Sequence, residues 1–489
     1  MKAVRLARVF VLFVLCLGLV GCGSEERAAS SDAEIVPASA PAYVSFDTDV
    51  ESDQWQRVET LLRKFPDGAQ AITMLRGSFE EDANLDWEED VKPALGDSLS
   101  LVWLDFENEG ENVVGITKPK DEDKFREAVE KGNASDDGED LLVGEIGGWL
   151  VLANSQARID RFRTQAGEGQ KLSDDAVFKD ALAELPDDSI LTAFTRGREL
   201  LDVFAGYAFL PGAGGLSQLQ AGERPEYIAA ALAAEESGVR AVSASRTEAE
   251  STAPLQTYES KLLGDVPGDA VAFLTFRGGE SVDRQFDQLP KEGLQELERM
   301  LGLKLEAITA LFQNEVALYV RGGVPIPEIT LLLEAADEQA ALRTVNDVIE
   351  QVTRLQAAQP CDEPEEQAGV TVQCVEFEDF RLRYAAFDGK VVVTTGPQSI
   401  EEIRSGGPRL GDDDAFKDAR EAAGLPDANG GFVWLDFEDG LPLVLGLADA
   451  ADEDIPAEVR RNIEALRSLV AWAEQDGRTS STELFLAID

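Results

Sequence analysis

Histidine is absent from the 489-residue chain. The absence removes imidazole acid and base chemistry, Ser-His and Cys-His nucleophile pairs, and the usual His-containing zinc and copper sites. Basic residues are scarce too: 44 Lys and Arg stand against 94 Asp and Glu, for a formal charge of −50. Such a surface repels phosphate backbones and anionic head groups, which argues against nucleic acid and against a peripheral lipid-binding face. The acids are scattered along helix faces and loops, so the charge reads first as a solubilising surface, with a cation sink as its functional alternative.

Only four cysteines occur. Cys22 is the most telling of them, because it ends Leu19-Val20-Gly21-Cys22 behind a basic start (Lys2, Arg5, Arg8) and an apolar run from Val9 to Val20. Twelve apolar residues fall short of the roughly 20 of a spanning helix, and the order of charge, apolar segment, small residue and cysteine is that of a lipoprotein signal. The expectation is a signal peptide over 1–21, an acylated Cys22 as lipid anchor, and a flexible polar tether over 22–35. Two or more acyl chains, at about 0.8 kcal/mol per buried methylene, hold such a protein without help from its folded part. The predicted location is extracytoplasmic, on the cell membrane or outer membrane.

Cys16 leaves with the signal. Cys361 and Cys374 remain, in a chain expected to meet an oxidising compartment, and a structural disulfide around the acidic stretch Asp362 to Gln367 is predicted.

The body reads as one sequence written twice. Val36-Pro37-Ala38-Ser39-Ala40-Pro41-Ala42-Tyr43 matches Val266-Pro267-Gly268-Asp269-Ala270-Val271-Ala272-Phe273, and Asp175-Ala176-Val177-Phe178-Lys179-Asp180 matches Asp413-Asp414-Ala415-Phe416-Lys417-Asp418. Both copies then reach Leu-Pro-Asp, at Leu185 and Leu425, and later a hairpin turn, at Glu236-Ser237-Gly238 and Gln475-Asp476-Gly477. Four landmarks in one order predict tandem repeats over 36–250 and 262–489, joined by 251–261. Each mixes neighbouring strands joined by short turns with amphipathic helices, such as Trp55, Val58, Leu61, Leu62 and Phe65 at helical spacing. The predicted class is α+β, each half a mainly antiparallel sheet packed with helices.

The residues Val36 to Tyr43, the step Ala94-Leu95-Gly96-Asp97 into a strand, and the helix start Ala415-Phe416-Lys417 resemble the bacterial family of domain of unknown function 3352 (DUF3352). The resemblance covers nearly the whole mature chain. It implies an exported, usually membrane-attached protein without an assigned activity, and it brings no catalytic residues.

No motif commits the chain to chemistry. Asp105-Phe106-Glu107-Asn108-Glu109-Gly110 has acids and Gly at calcium-loop spacing, but Ile116 stands where a bidentate Glu belongs, so an acidic hairpin turn is expected. Asp412-Asp413-Asp414 and Asp121-Glu122-Asp123 precede amphipathic helices, where acids suit the N-terminal dipole. The Gly-rich stretch 206–222 lacks the Lys-Ser/Thr ending of a phosphate loop, and Phe204 to Leu210 has no evident counterpart in the second repeat, which makes it a candidate ligand or partner surface. Val102-Trp103-Leu104-Asp105-Phe106-Glu107 recurs at Val433-Trp434-Leu435-Asp436-Phe437-Glu438, a repetition that strand alternation explains. No catalytic, cofactor-binding or metal-ligating residue is assigned. The expected function is a non-catalytic membrane-anchored binding or scaffolding protein of the envelope; the alternatives are a carboxylate-based hydrolase of envelope polymers and a cation-binding surface protein.

Overall fold

The computed structural model describes residues 31–489 apart from 71, 75–76, 78–84, 108–109, 136–139, 198–224, 251–253, 280–297, 299–303, 324–325, 357, 362, 451–452 and 454. Cys22 with its leader, and the stretches 204–210 and 206–222, lie outside the described residues.

Among the described residues, 19 strands join in one antiparallel sheet with helices on both faces. The first eight are β1 (Ala42–Asp47), β2 (Gly96–Trp103), β3 (Val113–Pro119), β4 (Leu142–Ile146), β5 (Trp149–Ala153), β6 (Leu191–Arg196), β7 (Pro225–Glu235) and β8 (Gly238–Thr247). They lie in the order β4-β5-β3-β2-β1-β6-β7-β8. Beyond the short β9 (Tyr258–Glu259) come β10 (Ala270–Arg277), β11 (Glu315–Arg321), β12 (Glu328–Glu334), β13 (Gln359–Pro360), β14 (Glu365–Gln367), β15 (Val370–Glu376), β16 (Arg381–Phe387) and β17 (Lys390–Thr394). After β18 (Ala428–Asn429), which pairs with β9 in a separate two-stranded sheet, the chain ends in β19 (Gly431–Asp436), β20 (Leu466–Asp476) and β21 (Thr479–Ile488). This second set is ordered β15-β16-β17-β12-β11-β10-β19-β20-β21. From β16 inward it follows the first set strand for strand.

The two wings meet edge to edge. β8 pairs with β21 from Gly238 opposite Ala487 to Arg246 opposite Thr479, and Val242 faces Glu483. Those two residues hold the same place counted from their hairpin turns, so the joint has the self-complementary form of a two-fold contact within one chain. Arg240 of β8 reinforces it by bonding Glu483 of β21 at 3.0 Å and by lying over the Phe485 ring.

Each wing buries a matching core. In the first, Tyr43, Phe178 and Phe194 pack edge to face, with Phe178 and Phe194 centred 5.0 Å apart. In the second, Phe273, Phe416 and Trp434 take those places, and Phe416 meets Trp434 edge-on at 5.3 Å. Both helices start the same way: the Asp175 carboxylate accepts from the Phe178 amide and the Asp413 carboxylate from the Phe416 amide, satisfying a donor that the helix leaves open. On the opposite sheet face, the helix Asp53–Lys64 seats Trp55 beside Leu99 and Leu150, and the helix Glu338–Gln356 seats Val345 and Ile349 beside Leu333 and Val391.

Residues 32–35, the end of the stretch expected as tether, belong to the folded body. Asp32–Glu34 form a 3-10 turn, with Asp32 and Ala33 fully buried and Ile35 packed on the core. A polar composition hid this, because Asp32 is held by buried serines rather than by apolar packing.

Candidate functional site

The acidic motifs resolve into local structure. The Asp121 carboxylate accepts from the Lys124 amide at the start of the helix Glu122–Ser135, and Asp413 caps as described above. The Asp105 carboxylate accepts from the Glu107 amide and from Asn112 at 2.7 Å, and pairs with Arg161 at 2.5 Å. No group of three or more Cys, Asp or Glu among the described residues is arranged to hold a metal ion. The two copies of the Trp-containing hexapeptide face opposite ways: Val102 and Leu104 are buried beside a half-buried Trp103, whereas Trp434 is 1 % exposed between half-buried Val433 and Leu435.

Two carboxyls are strongly perturbed. Burial raises Asp32 to about 6 against the opposing pull of the Ser100 and Ser98 hydroxyls, which donate to it at 2.5 and 2.6 Å. Burial likewise raises Asp47 to about 7, although the Ser52 hydroxyl and the Asp49 amide donate to it. Both are enclosed by their own turn residues and strand neighbours. In the second wing, Glu315 is fully buried at the place that Ser98 holds in the first, and it accepts from Ser260 and from the backbone amides of Lys261 and Leu262. Hydroxyl and carboxylate have changed sides across one contact, which marks these acids as clasps between turn and sheet.

A cleft of about 200 Å³ opens where the wings join. Trp434, Asp436, Arg467 and Ser468 form its sheet side, and Ala415, Asp418, Ala419 and Ala422 of the helix Asp414–Ala423 form its other wall. Ser237, from the β7–β8 turn of the first wing, and Ala487, Ile488 and Asp489 complete it. Strand register gives each residue a counterpart. Asp436 pairs with Ser468 across β19–β20, as Arg196 pairs with Tyr227 across β6–β7. Tyr227 is fully buried among Phe178 and Phe194, so its ring fills the place that Ser468 leaves open beside Phe416 and Trp434.

The charges differ between wings as well. Arg196 pairs with Asp175 at 2.7 Å in the first. In the second, Asp436 stands at the position of Arg196, and its carboxyl is raised by burial and by the neighbouring Asp439 and Asp413 charges. Arg467 pairs with Glu438. Among the described residues neither the buried Trp434 indole Nε1–H nor that of Trp472 has an acceptor. An unanswered buried donor costs about 1–3 kcal/mol, and such groups in folded proteins call for an explanation.

Sequence reasoning singled out Trp434 and Asp436 but not Arg467 or Ser468. The structure sets the turns at Glu236-Ser237 and Gly477-Arg478, and nine residues back from each stand Tyr227 and Ser468; the sequence match of 236–238 with 475–477 is two residues out of this register. The link between β6 and β7 and the link between β19 and β20 occupy equivalent places, and the second carries the helix Phe437–Ala450, whose Val444 and Leu447 are exposed.

Cys361 and Cys374 lie 5.4 Å apart at Cα, within bridging distance, and the Cys361 amide donates to the Cys374 carbonyl. No described helix is long and apolar enough to cross a membrane.

A family model described as protein of unknown function (DUF3352) matches residues 3–144 and 134–488. No curated protein matches the chain. Among solved structures, crystal form IV of TP0453 is similar at 14% identity over 48% of this chain and 81% of that one, with a TM-score of 0.25. Crystal form III of TP0453 is similar at 11% identity over 49% and 95%, with a TM-score of 0.23.

Proposed function

The chain belongs to the DUF3352 family, whose description carries no activity, and from that premise we propose a non-catalytic, lipid-anchored extracytoplasmic protein that binds a partner or ligand at the cell envelope. Cys22 bears the acyl chains and tethers the body to the cell membrane or outer membrane. Cys361 and Cys374 form a structural disulfide there, and their separation supports an oxidising location. The body is two homologous halves, 36–250 and 262–489; the shared strand order and the equivalent Asp175 and Asp413 caps support the duplication.

One observation carries the binding role. After duplication each half has the same wall of strands and the same capped helix, yet only the second has Ser468 in place of a core tyrosine, beside the cleft. A packed core is the default outcome of such a fold, and concave sites with a few convergent polar groups are where ligands bind.

The test is crosslinking of the tethered protein in intact envelopes, with mass spectrometry, for wild type and Ser468→Tyr. A partner captured by wild type and lost from the variant supports the reading. Equal recovery of bulk lipoproteins by both overturns it. Cys22→Ser addresses the anchor separately: the variant is expected in the soluble extracytoplasmic fraction without acyl label, and retention in the membrane fraction removes the lipid from the proposal.

A further inference from the structure

The two outer edges of the sheet end differently. In the second wing β16 is covered by β15, with Gln373 opposite Tyr384 and Val375 opposite Leu382. β13 and β14 in turn cover the far side of β15, and Cys361 lies within bridging distance of Cys374. All three strands come from residues 357–380, the link between the helix Glu338–Gln356 and β16. In the first wing residues 136–141 link the corresponding helix Glu122–Ser135 to β4, and among the described residues β4 pairs with β5 alone.

Register shows what β4 leaves open. Ile146 pairs with Trp149 around the two-residue turn Gly147-Gly148, so Leu142, Gly144 and Ile146 exchange hydrogen bonds with β5, and Val143 and Glu145 turn their N–H and C=O groups outward. Counted from the turns, Val143 stands where Tyr384 receives its strand, and Leu141 where Leu382 does. At Leu141 a side chain replaces the strand: Asn133 Nδ2 donates to the Leu141 carbonyl and the Leu141 amide donates to Asn133 Oδ1, both at 2.9 Å. Among the described residues nothing does the same for the outward groups of Val143 and Glu145. Leu142 is 38 % exposed and shares a face with the half-buried Ile146, and Glu145 is exposed on the other face. Arg163, the cation near Gly144, is engaged by Asp160.

We propose that β4 is a docking edge for an extended segment of a basic partner protein, which adds as an antiparallel strand in the place that β15 fills in the other wing. Main-chain bonds at Val143 and Glu145 hold the segment, a Lys or Arg opposite Glu145 meets its carboxylate, and an apolar residue opposite Gly144 lies between Leu142 and Ile146. Charge selects this occupant over a second copy. Pairing two β4 strands through both outward residues sets their Glu145 carboxylates diagonally across one face, and it brings together two bodies of −50. The covered edge of the second wing shows the alternative, a strand that the chain supplies to itself.

This edge lies apart from the cleft, so either reading can fail alone. The probe is the end-blocked peptide Ser-Thr-Lys-Val-Val-Thr-Ser carrying a neutral dye, with Glu in place of Lys as its control, titrated into the full chain in detergent and followed by fluorescence anisotropy. The Lys peptide is expected to bind wild type and the Glu peptide about tenfold more weakly. Glu145→Pro removes an outward N–H while leaving the β4–β5 ladder intact, and is expected to weaken the Lys peptide by about tenfold. Glu145→Gln keeps the N–H and is expected to weaken it only about threefold. If Glu145→Pro lowers the thermal midpoint, Val143→Pro takes its place, and hydrogen exchange on wild type decides without any variant: the Lys peptide is expected to slow exchange over 141–147 and to leave 381–387 unchanged. No slowing over 141–147 overturns the proposal. Equal losses in Glu145→Pro and Glu145→Gln reduce the effect to charge and overturn strand pairing. A wild-type dimer in sedimentation velocity that Glu145→Pro dissolves assigns the edge to a second copy and overturns the basic partner.

Discussion

Tyr227 and Ser468 occupy equivalent register positions in the two wings of the sheet: Tyr227 pairs with Arg196 across β6–β7, and Ser468 with Asp436 across β19–β20. Tyr227 closes its core, with Arg246 stacked 4.9 Å over the ring, whereas Ser468 borders a cleft. Exchange of the two side chains therefore has unequal costs. Tyr227→Ser leaves a buried void in a close-packed cluster and is expected to lower unfolding free energy by about 3 kcal/mol, as large-to-small core changes do. Ser468→Tyr places a ring where space exists and is expected to change it by less than about 1.5 kcal/mol. Urea denaturation of both variants measures the difference; equal costs contradict the assignment of the cleft to a missing ring.

The pH dependence of stability follows from Asp32 and Asp47, both raised above the ordinary carboxylate value, to about 6 and about 7. In the unfolded chain each ionises near 4, so between about pH 4 and 7 the native state holds protons that the unfolded state has released. Stability falls as pH rises through that window. Below it, both states are protonated and no penalty applies. Asp47 is 8 % exposed, and its share of the loss is on the order of 4 kcal/mol. Asp47→Asn, whose oxygen can still accept from the Asp49 amide while its Nδ2 donates to the Ser52 hydroxyl, is expected to flatten the profile and to be the more stable protein at pH 8. Unfolding curves at pH 4.5 and 8 check this, and a wild-type stability that rises with pH across the window contradicts it.

Much of this architecture was legible because it is written in local chemistry. Asp175 and Asp413 sit three residues before Phe178 and Phe416, and that spacing alone announces two capped helices with a buried ring each. The turn at Asp388-Gly389 has φ of 50° and 77°, a left-handed pair that an Asp-Gly hairpin signals directly. What stayed hidden depends on register. Trp103 and Trp434 share a hexapeptide yet face opposite ways, since one residue of offset in a strand reverses every side chain. Asp32 looked like part of a tether because its burial rests on Ser98 and Ser100, 66 and 68 residues away. The cleft needed two strand pairings compared at once.

The cysteine pair gives a local test. Cys374 lies in β15, at the far side of β16 and β17 from the joint, and 13 residues separate it from Cys361. Loop-entropy arguments assign such a bridge about 3 kcal/mol. Reduction, or Cys361→Ser with Cys374→Ser, is expected to speed hydrogen exchange in β15 and β16 while leaving β1 to β8 unchanged. A uniform change across the sheet contradicts a bridge that acts only on this edge.

The joint itself is the sharpest place to probe how the wings depend on each other. Gly238 begins β8 opposite Ala487, and a Cβ there would sit 2.1 Å from the Leu486 carbonyl oxygen and 3.0 Å from the Phe485 ring. Backbone cannot yield as a side chain can, so Gly238→Val drives β8 away from β21 at a cost of about 3 kcal/mol. Each wing keeps its own core, centred on Phe178 and on Phe416, but the cluster of Leu61, Ala234, Ala465 and Ile488 spans both and loosens with the joint. What remains across the joint is polar and half-exposed, such as Lys64, which donates to the Ile488 carbonyl, Arg461, paired with Asp67 at 3.1 Å, and Asn462, which exchanges hydrogen bonds with Asp67, and surface charge pairs contribute little. Urea unfolding followed by tryptophan fluorescence is expected to split from one transition into two, the earlier one belonging to separation of the wings. A single transition with an unchanged midpoint means that β8 and β21 do not hold the molecule together.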